Sequence, residues 1–193
     1  MLTATKMAKQ RTEKQKLAEE IELPSGVTAD MPGHFLVIRG PKGEVKRNIR
    51  QHNVKLRLES GKIIFETERA TKRDKKMLGS LVAHINNMIS GSANHHIYIL
   101  KICAGHFPMT VSVSDNKLTI KNFIGEKVPR VLRLKEGAAV KVEGGLIYVT
   151  SPSKEIAGQV SADIEQLTRR PGFDSRVFQD GLYIISKAGK ELK

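Results

Sequence analysis

The sequence predicts an α+β fold of two tandem duplicated domains, each a small, largely antiparallel β-sheet layer covered by one α-helix. Three observations predict it. Each half of the chain contains short apolar or alternating segments separated by Gly-containing turns. Each set of segments is followed by a stripe of apolar residues at helical spacing. The two halves also align with one another, and two copies of this size indicate a duplication rather than a solenoid.

In order along the chain, residues 1–20 carry Lys6, Lys9, Arg11, Lys14 and Lys16 beside Glu13, Glu19 and Glu20. They have no apolar face, and read either as a basic extension, mobile or ordered by a partner, or as a frayed, solvated helix. From Ile21 the pattern turns to strands: Phe35–Arg39, Val45–Ile49, Val54–Leu58 and Lys62–Glu66. Gly40–Gly43 (GPKG) and Ser60-Gly61 supply turn chemistry between them. Lys72–Ser90 then reads as a helix with Met77, Leu81, Ile85, Met88 and Ile89 on one stripe, and Gly91 is the expected stop.

The second half repeats this plan. Leu118–Lys121 echoes Leu36–Arg39, Val140–Val142 echoes Val54–Leu56, and Gly145 before Leu146–Val149 echoes Gly61 before Lys62–Phe65. Gly79, Leu81, Ala83, Ile85 and Met88 match Gly158, Val160, Ala162, Ile164 and Leu167, a shared pattern of small and large residues that implies the same packing on a sheet. The predicted organisation is an extension at 1–20, a first repeat at 21–92, a second at 93–187 and a basic tail at 188–193.

The stretch from Gly158 to Lys187 draws most attention. Its helix carries Val160, Ile164 and Leu167, and is expected to stop at Pro171-Gly172. Arg169, Arg170 and Arg176 crowd the following loop around Phe173, and Gly181–Ile185 reads as a closing strand. A helix followed at once by a cationic loop is a way to hold guanidinium groups toward phosphates. The plainer reading is a solvated helix end whose cations complement the helix dipole.

Charge narrows the partner class. The chain has 33 Lys+Arg against 20 Asp+Glu, a formal net charge of +13. Residues 1–92 hold 18 basic and 10 acidic side chains and residues 93–193 hold 15 and 10, so the field is broad rather than confined to a tail. Such a field selects polyanions, nucleic acid before an acidic membrane surface. The single Cys103 excludes an internal disulfide framework and fits a reducing compartment. No run approaches the ~18 apolar residues of a membrane span, and no signal-peptide core is visible, so a soluble cytoplasmic protein is expected.

At this point three segments carry a resemblance. GSLVAHINNMISG (Gly79–Gly91) and GQVSADI (Gly158–Ile164) resemble the two helix motifs of the universal large-subunit ribosomal protein six family. RVFQDGLYIISK (Arg176–Lys187) is similar to the signature of its archaeal and eukaryotic branch, with the archaeal branch the better match. The Tyr-Lys-Gly-Lys-Gly motif of bacterial members is replaced here by RRPGFDSR, so bacterial RNA contacts do not carry over residue by residue. The resemblance covers most of residues 21–187. It implies a structural component of the large ribosomal subunit that binds large-subunit rRNA near the sarcin–ricin loop and the translation-factor region, beside neighbouring large-subunit proteins. On that analogy Arg169, Arg170, Phe173, Arg176 and Lys187 would clamp rRNA, with Lys190 and Lys193 extending the contact. Phe173 would either stack on a base or cover the second core. The alternative is a free two-domain RNA-binding regulator acting outside the ribosome.

The densest basic run is Arg69–Lys76, where Arg69, Lys72, Arg73, Lys75 and Lys76 read as a secondary RNA contact or a solvated helix start. GPKG matches the Gly-x-x-Gly of a nucleotide-clamping loop, but flanking strands make it a strand-to-strand turn. Asp180-Gly181 reads as a turn before the last strand. Cys103 and His106, with His95-His96 nearby, lack the ligands of a zinc site, and a buried Cys beside a loop His is the plainer reading than a nucleophile. Asp163 and Glu165 do not share a helix face. No phosphate loop, dinucleotide fingerprint or hydrolase elbow occurs. No enzyme activity, cofactor, metal or small-molecule substrate is expected.

Overall fold

The computed structural model describes residues 17–49, 54–59, 61–67, 71–174 and 176–192. Most of the basic extension lies outside that set, as do Arg69 and Lys193. The first repeat runs β1 (Leu17–Glu22), β2 (Thr28–Asp30), β3 (Phe35–Gly40), β4 (Gly43–Asn48), β5 (Val54–Glu59), β6 (Lys62–Thr67) and α1 (Lys72–Ala93). The second runs β7 (His96–Cys103), β8 (Thr110–Ser114), β9 (Lys117–Lys121), a 3-10 turn at Phe123–Gly125, β10 (Arg130–Arg133), β11 (Ala139–Glu143), β12 (Leu146–Ser151) and α2 (Lys154–Leu167). β13 (Gly181–Lys187) and β14 (Lys190–Glu191) close the chain.

Among the described residues every strand pairing is antiparallel, and the pairing repeats the sequence duplication. Sheets β1-β6-β5 and β2-β3-β4 of the first half reappear as β7-β12-β11 and β8-β9-β10. The second half goes further, because β13 returns from α2 to pair with the other edge of β7, giving the order β11-β12-β7-β13-β14. Among the described residues the matching edge of β1 carries no strand.

Each helix covers its own core. α1 begins with a reciprocal capping box, Thr71 accepting from the Asp74 amide while the Asp74 carboxylate accepts from Thr71. Leu78, Leu81, Ile85, Met88 and Ile89 fall on one face at helical spacing and meet Leu36, Ile38, Ile63 and Phe65. α2 starts at the Ser153 cap and buries Ala157, Val160, Ser161 and Ile164 against a second core that includes Leu100, Leu118, Phe123 and Ile147. Removing a side chain such as Phe65 or Ile164 fully from water contributes ~1.5–3 kcal/mol each.

The structure corrects several expectations. Leu17–Glu20 belong to β1 rather than to the extension. LAEEIE shows no clean alternation, and only Ile21 of residues 18–22 is buried, so pairing with β6 rather than local pattern makes this strand. α1 does not stop at Gly91 but runs to Ala93, with Asn94 as its cap. Gly91 is buried where the helix meets Pro152 and His96, so its lack of a side chain serves close approach rather than termination. α2 ends at Leu167, before Pro171, because Thr168 takes over the last turn. The matched glycines also differ. Gly158 faces Tyr98, whereas Gly79 lies on the solvent side of α1 with nothing near it.

The GPKG segment is the expected turn, with Gly40 opposite Gly43, and it also docks between the repeats. Its Lys42 amide donates to the Ser92 carbonyl at 3.0 Å, and His95 Nε2 donates to the Lys42 carbonyl at 2.8 Å. His96 Nε2 donates to the Asn87 carbonyl at 2.9 Å. Glu155 of α2 receives both Arg47 and His84 of the first repeat. Polar and ionic contacts therefore join the two halves on several sides.

Candidate nucleic-acid interface

The end of α2 is held by β13 and by Arg130, and this positions the arginine loop. The Thr168 hydroxyl donates to the Glu165 carbonyl at 2.9 Å and accepts the Leu182 amide of β13 at 3.0 Å. Glu165 Oε1 accepts the Ile184 amide at 3.1 Å. From the opposite side, Arg130 Nη1 donates to the Leu167 carbonyl at 2.6 Å, satisfying a helix-end acceptor. Its Nε and Nη2 form a two-point pair with Glu126 at 2.8 and 2.6 Å, and its guanidinium lies 4.4 Å above the Phe123 ring. Hydrogen bonds from Arg130 hold the Glu126 carboxyl below its usual value against the opposing effect of burial.

The loop beyond is organised by a ladder of flat groups. The Arg170 guanidinium lies 4.0 Å from the Phe173 ring centroid. Phe173 meets Phe178 edge-on at 5.0 Å, and Phe178 tilts against His106 at 5.1 Å. Asp180 anchors the far end: its carboxylate accepts the amides of Gly105 and His106, and His106 Nδ1. Burial pushes the Asp180 carboxyl up, but the hydrogen bonds from His106 and Gly105 outweigh it and keep the group ionised below its ordinary range. Asp180 is thus a buried tie between two loops, more than the turn residue its sequence context implies.

Arg169 is exposed at the start of this loop and, among the described residues, its guanidinium has no ion-pair partner. Arg176 is exposed too, but pairs with Asp174 through Nε at 3.1 Å and Nη2 at 2.9 Å, which holds the Asp174 carboxyl below its usual value. Phe173 is 41% exposed and outside the second core, which disposes of the core-covering alternative. Beside it opens a cavity of about 480 Å³, lined by Glu165, Gln166, Arg169, Arg170, Phe173, Phe178 and Tyr183.

The structure does not gather all the sequence-predicted residues in one place. Arg169, Arg170, Phe173 and Arg176 share the loop. Lys187 and Lys190 face each other across the β13–β14 hairpin, at the other end of a seven-residue strand and so ~20 Å away. That hairpin adjoins the joint between the repeats, where Ala188 lies with Asn87, His96 and Lys154. Lys72, Arg73, Lys75 and Lys76 are exposed in the first turns of α1, at the opposite end of a 22-residue helix, ~30 Å from that joint. Cations there oppose the helix dipole, and Asp74 offsets them only in part.

Sequence reasoning missed Arg130, Thr168, Phe178 and Asp180 as supports of the loop. A Thr at a helix end is a weak local signal for one of them. Arg130 and Asp180 act through partners far along the chain, and Phe178 links the nearby Phe173 to the distant His106, which no local pattern reveals. Cys103 is half-buried at the end of β7, and His106 Nδ1 is committed to Asp180. Among the described residues no cluster of His, Cys, Asp and Glu could hold a metal ion, and no helix is long and apolar enough to cross a membrane.

Comparison with known proteins agrees with this architecture. The family model described as Ribosomal protein L6 matches residues 23–91. The large ribosomal subunit protein uL6 of Methanococcus vannielii is 39% identical over 176 residues, covering 91% of this chain and 97% of the relative. The protein of the same name from Methanobrevibacter smithii is 41% identical over 171 residues, covering 89% and 96%. Identity at that level with two archaeal relatives, over almost the whole chain, means that this protein belongs to the family of large ribosomal subunit protein uL6.

Proposed function

We propose that this protein is a structural constituent of the cytoplasmic large ribosomal subunit, where it binds and stabilises large-subunit rRNA near the sarcin–ricin loop and the translation-factor docking region. One observation carries the reading: an exposed arginine loop rests on a helix end held by Thr168, Glu165 and Arg130, while Asp180 ties the far side of the loop to Gly105 and His106. Cations on a fixed support lose little freedom when they meet phosphates, so more of each contact appears as affinity. Arg169 and Arg170 act as the primary phosphate contacts. Arg176 joins them by exchanging Asp174 for a phosphate, because an exposed ion pair is worth only ~0–1 kcal/mol.

Lys187 and Lys190 make a second contact. Like charges directly across a hairpin repel one another, and a phosphate between them would relieve that cost. Lys72, Arg73, Lys75 and Lys76 form a third, with Arg69 and Lys193 extending the two basic ends. Neighbouring large-subunit proteins share this environment, and the role is architectural rather than catalytic. Contacts on both repeats, held at fixed spacing by the joint, would fasten separate rRNA segments relative to one another. Backbone neutralisation supplies affinity, and RNA shape sets placement.

The test is binding of the purified full-length chain to transcribed large-subunit rRNA across a salt series. Each lost phosphate contact reduces the slope of log affinity against log salt by ~0.7–0.9. Arg169→Ala/Arg170→Ala is expected to weaken binding and flatten that slope by about 1.4–1.8. An unchanged slope in the double variant would remove the loop from the interface.

A further inference from the structure

We infer that the cavity beside the arginine loop is a pocket for a single nucleobase turned out of its RNA stack. This deepens the proposed RNA-binding role and rests on it. A surface that only neutralises phosphates needs cations, yet two large rings stay exposed at this one cavity. Phe173 is 41% and Tyr183 40% exposed, and neither belongs to the second core. Leaving such apolar area in water is unfavourable, and exposed aromatics beside arginines are the platform on which unpaired bases stack.

The rings are also held in place. Phe173 is braced by Arg170 on one side and Phe178 on another, and Phe178 by His106. Tyr183 sits on β13 in register with Lys101 of β7. A base entering here meets surfaces already oriented.

Polar groups converge on the same space. Among the described residues, neither the Gln166 side-chain amide nor the Tyr183 hydroxyl has a hydrogen-bond partner. Glu165 commits one carboxylate oxygen to the Ile184 amide, which leaves the other for an N–H donor. Burial, and then the nearby Cys103, Asp180 and Glu165, push the Tyr183 hydroxyl up, so it stays a donor at neutral pH. At about 480 Å³ the cavity falls within the ~300–1,000 Å³ of ordinary small-ligand pockets. The base stacks on the Phe173–Arg170 pair with its hydrogen-bonding edge toward Gln166, Glu165 and Tyr183, while Arg169 holds an adjacent phosphate.

Stacking and phosphate neutralisation respond differently to salt, and this separates the pocket from the surrounding surface. The probe is transcribed large-subunit rRNA, bound by the full-length wild-type protein and by Phe173→Leu, Phe173→Tyr and Tyr183→Leu variants, each checked for an unchanged thermal midpoint. Phe173→Leu should weaken binding by about five- to a hundredfold, the range for a lost base stack, and Tyr183→Leu by about two- to tenfold, the range for a lost hydrogen bond, both at every salt concentration with the wild-type slope. Phe173→Tyr, which keeps the ring, should bind nearly as wild type. The pocket is overturned if both leucine variants bind as wild type, or if their losses come with a flattened slope like that of Arg169→Ala. In either case a steep wild-type slope leaves the RNA-binding role standing. A wild-type protein that binds this rRNA without salt dependence removes both.

Discussion

Two glycines of one helix should respond oppositely to the same substitution. Gly79 and Gly91 both lie in α1 with no left-handed backbone. A Cβ at Gly79 would meet nothing within 4 Å, so Gly79→Ala gains only the helix preference of alanine, ~0.5–1 kcal/mol. A Cβ at Gly91 would stand 1.9 Å from the Pro152 carbonyl oxygen and 2.9 Å from the His96 ring. Ordinary contact begins near 3.4 Å, so α1 and Pro152 would have to part by about 1.5 Å, the difference of the two distances. A backbone carbonyl cannot swing aside as a side chain does. Parting strains the bonds beside it, from His96 Nε2 to the Asn87 carbonyl and from the Lys42 amide to the Ser92 carbonyl. Overpacking at ~1–3 kcal/mol, with about one hydrogen bond weakened, outweighs the helix gain and leaves a net loss of ~2 kcal/mol. For a chain of this size each kcal/mol moves the thermal midpoint by ~2–4 °C. Thermal unfolding followed by far-UV circular dichroism should therefore show Gly91→Ala lowered by ~4–8 °C and Gly79→Ala raised by ~1–4 °C. A neutral or stabilising Gly91→Ala would refute the packed joint, and a destabilising Gly79→Ala would refute the reading of the open helix face.

Other predictions follow from the anchors. Gly158→Leu should lower the thermal midpoint, because even a Cβ there would lie 3.3 Å from the Tyr98 hydroxyl; a retained midpoint contradicts that packing. Asp180→Ala should cost ~1–3 kcal/mol by removing the acceptor shared by Gly105 and His106, measured by urea unfolding at neutral pH. Because the folded Asp180 carboxyl lies below its unfolded value of ~3.9, its contribution is present above about pH 4 and is lost as pH falls through the folded value. The gap between wild type and Asp180→Ala should thus close only in acid, and a gap unchanged down to pH 2, on the order of two units below the unfolded value, would contradict the assignment. Arg130→Lys should also destabilise, since an ammonium cannot pair with Glu126 at two points while holding the Leu167 carbonyl; a wild-type midpoint would show that this fork is dispensable.

Much of this architecture was legible because it rests on local period. The apolar stripes of α1 and α2 and the alternation in β5 and β9 reflect which face each element buries, and the duplication doubled every signal. β1 was not legible, since LAEEIE becomes a strand only through β6. Nor was the return of β13 to the free edge of β7, which depends on a pairing about 80 residues away. The arginine loop stood out by charge. Its supports did not, because Arg130 reaches the end of α2 from 37 positions away and Asp180 holds His106 from 74. Nearness in sequence also misled in one respect, grouping Lys187 and Lys190 with arginines from which a whole strand separates them.

Whether this chain works as a fixed part of the large subunit is tested most directly by sedimenting a cell lysate and measuring the protein in each fraction before and after a high-salt wash. The account predicts one copy per large subunit, retained through the wash, with RNA crosslinks concentrated in residues 169–190. Protein that stays at the top of the gradient, or leaves the subunit at modest salt, would contradict it and make a free RNA-binding regulator the better description.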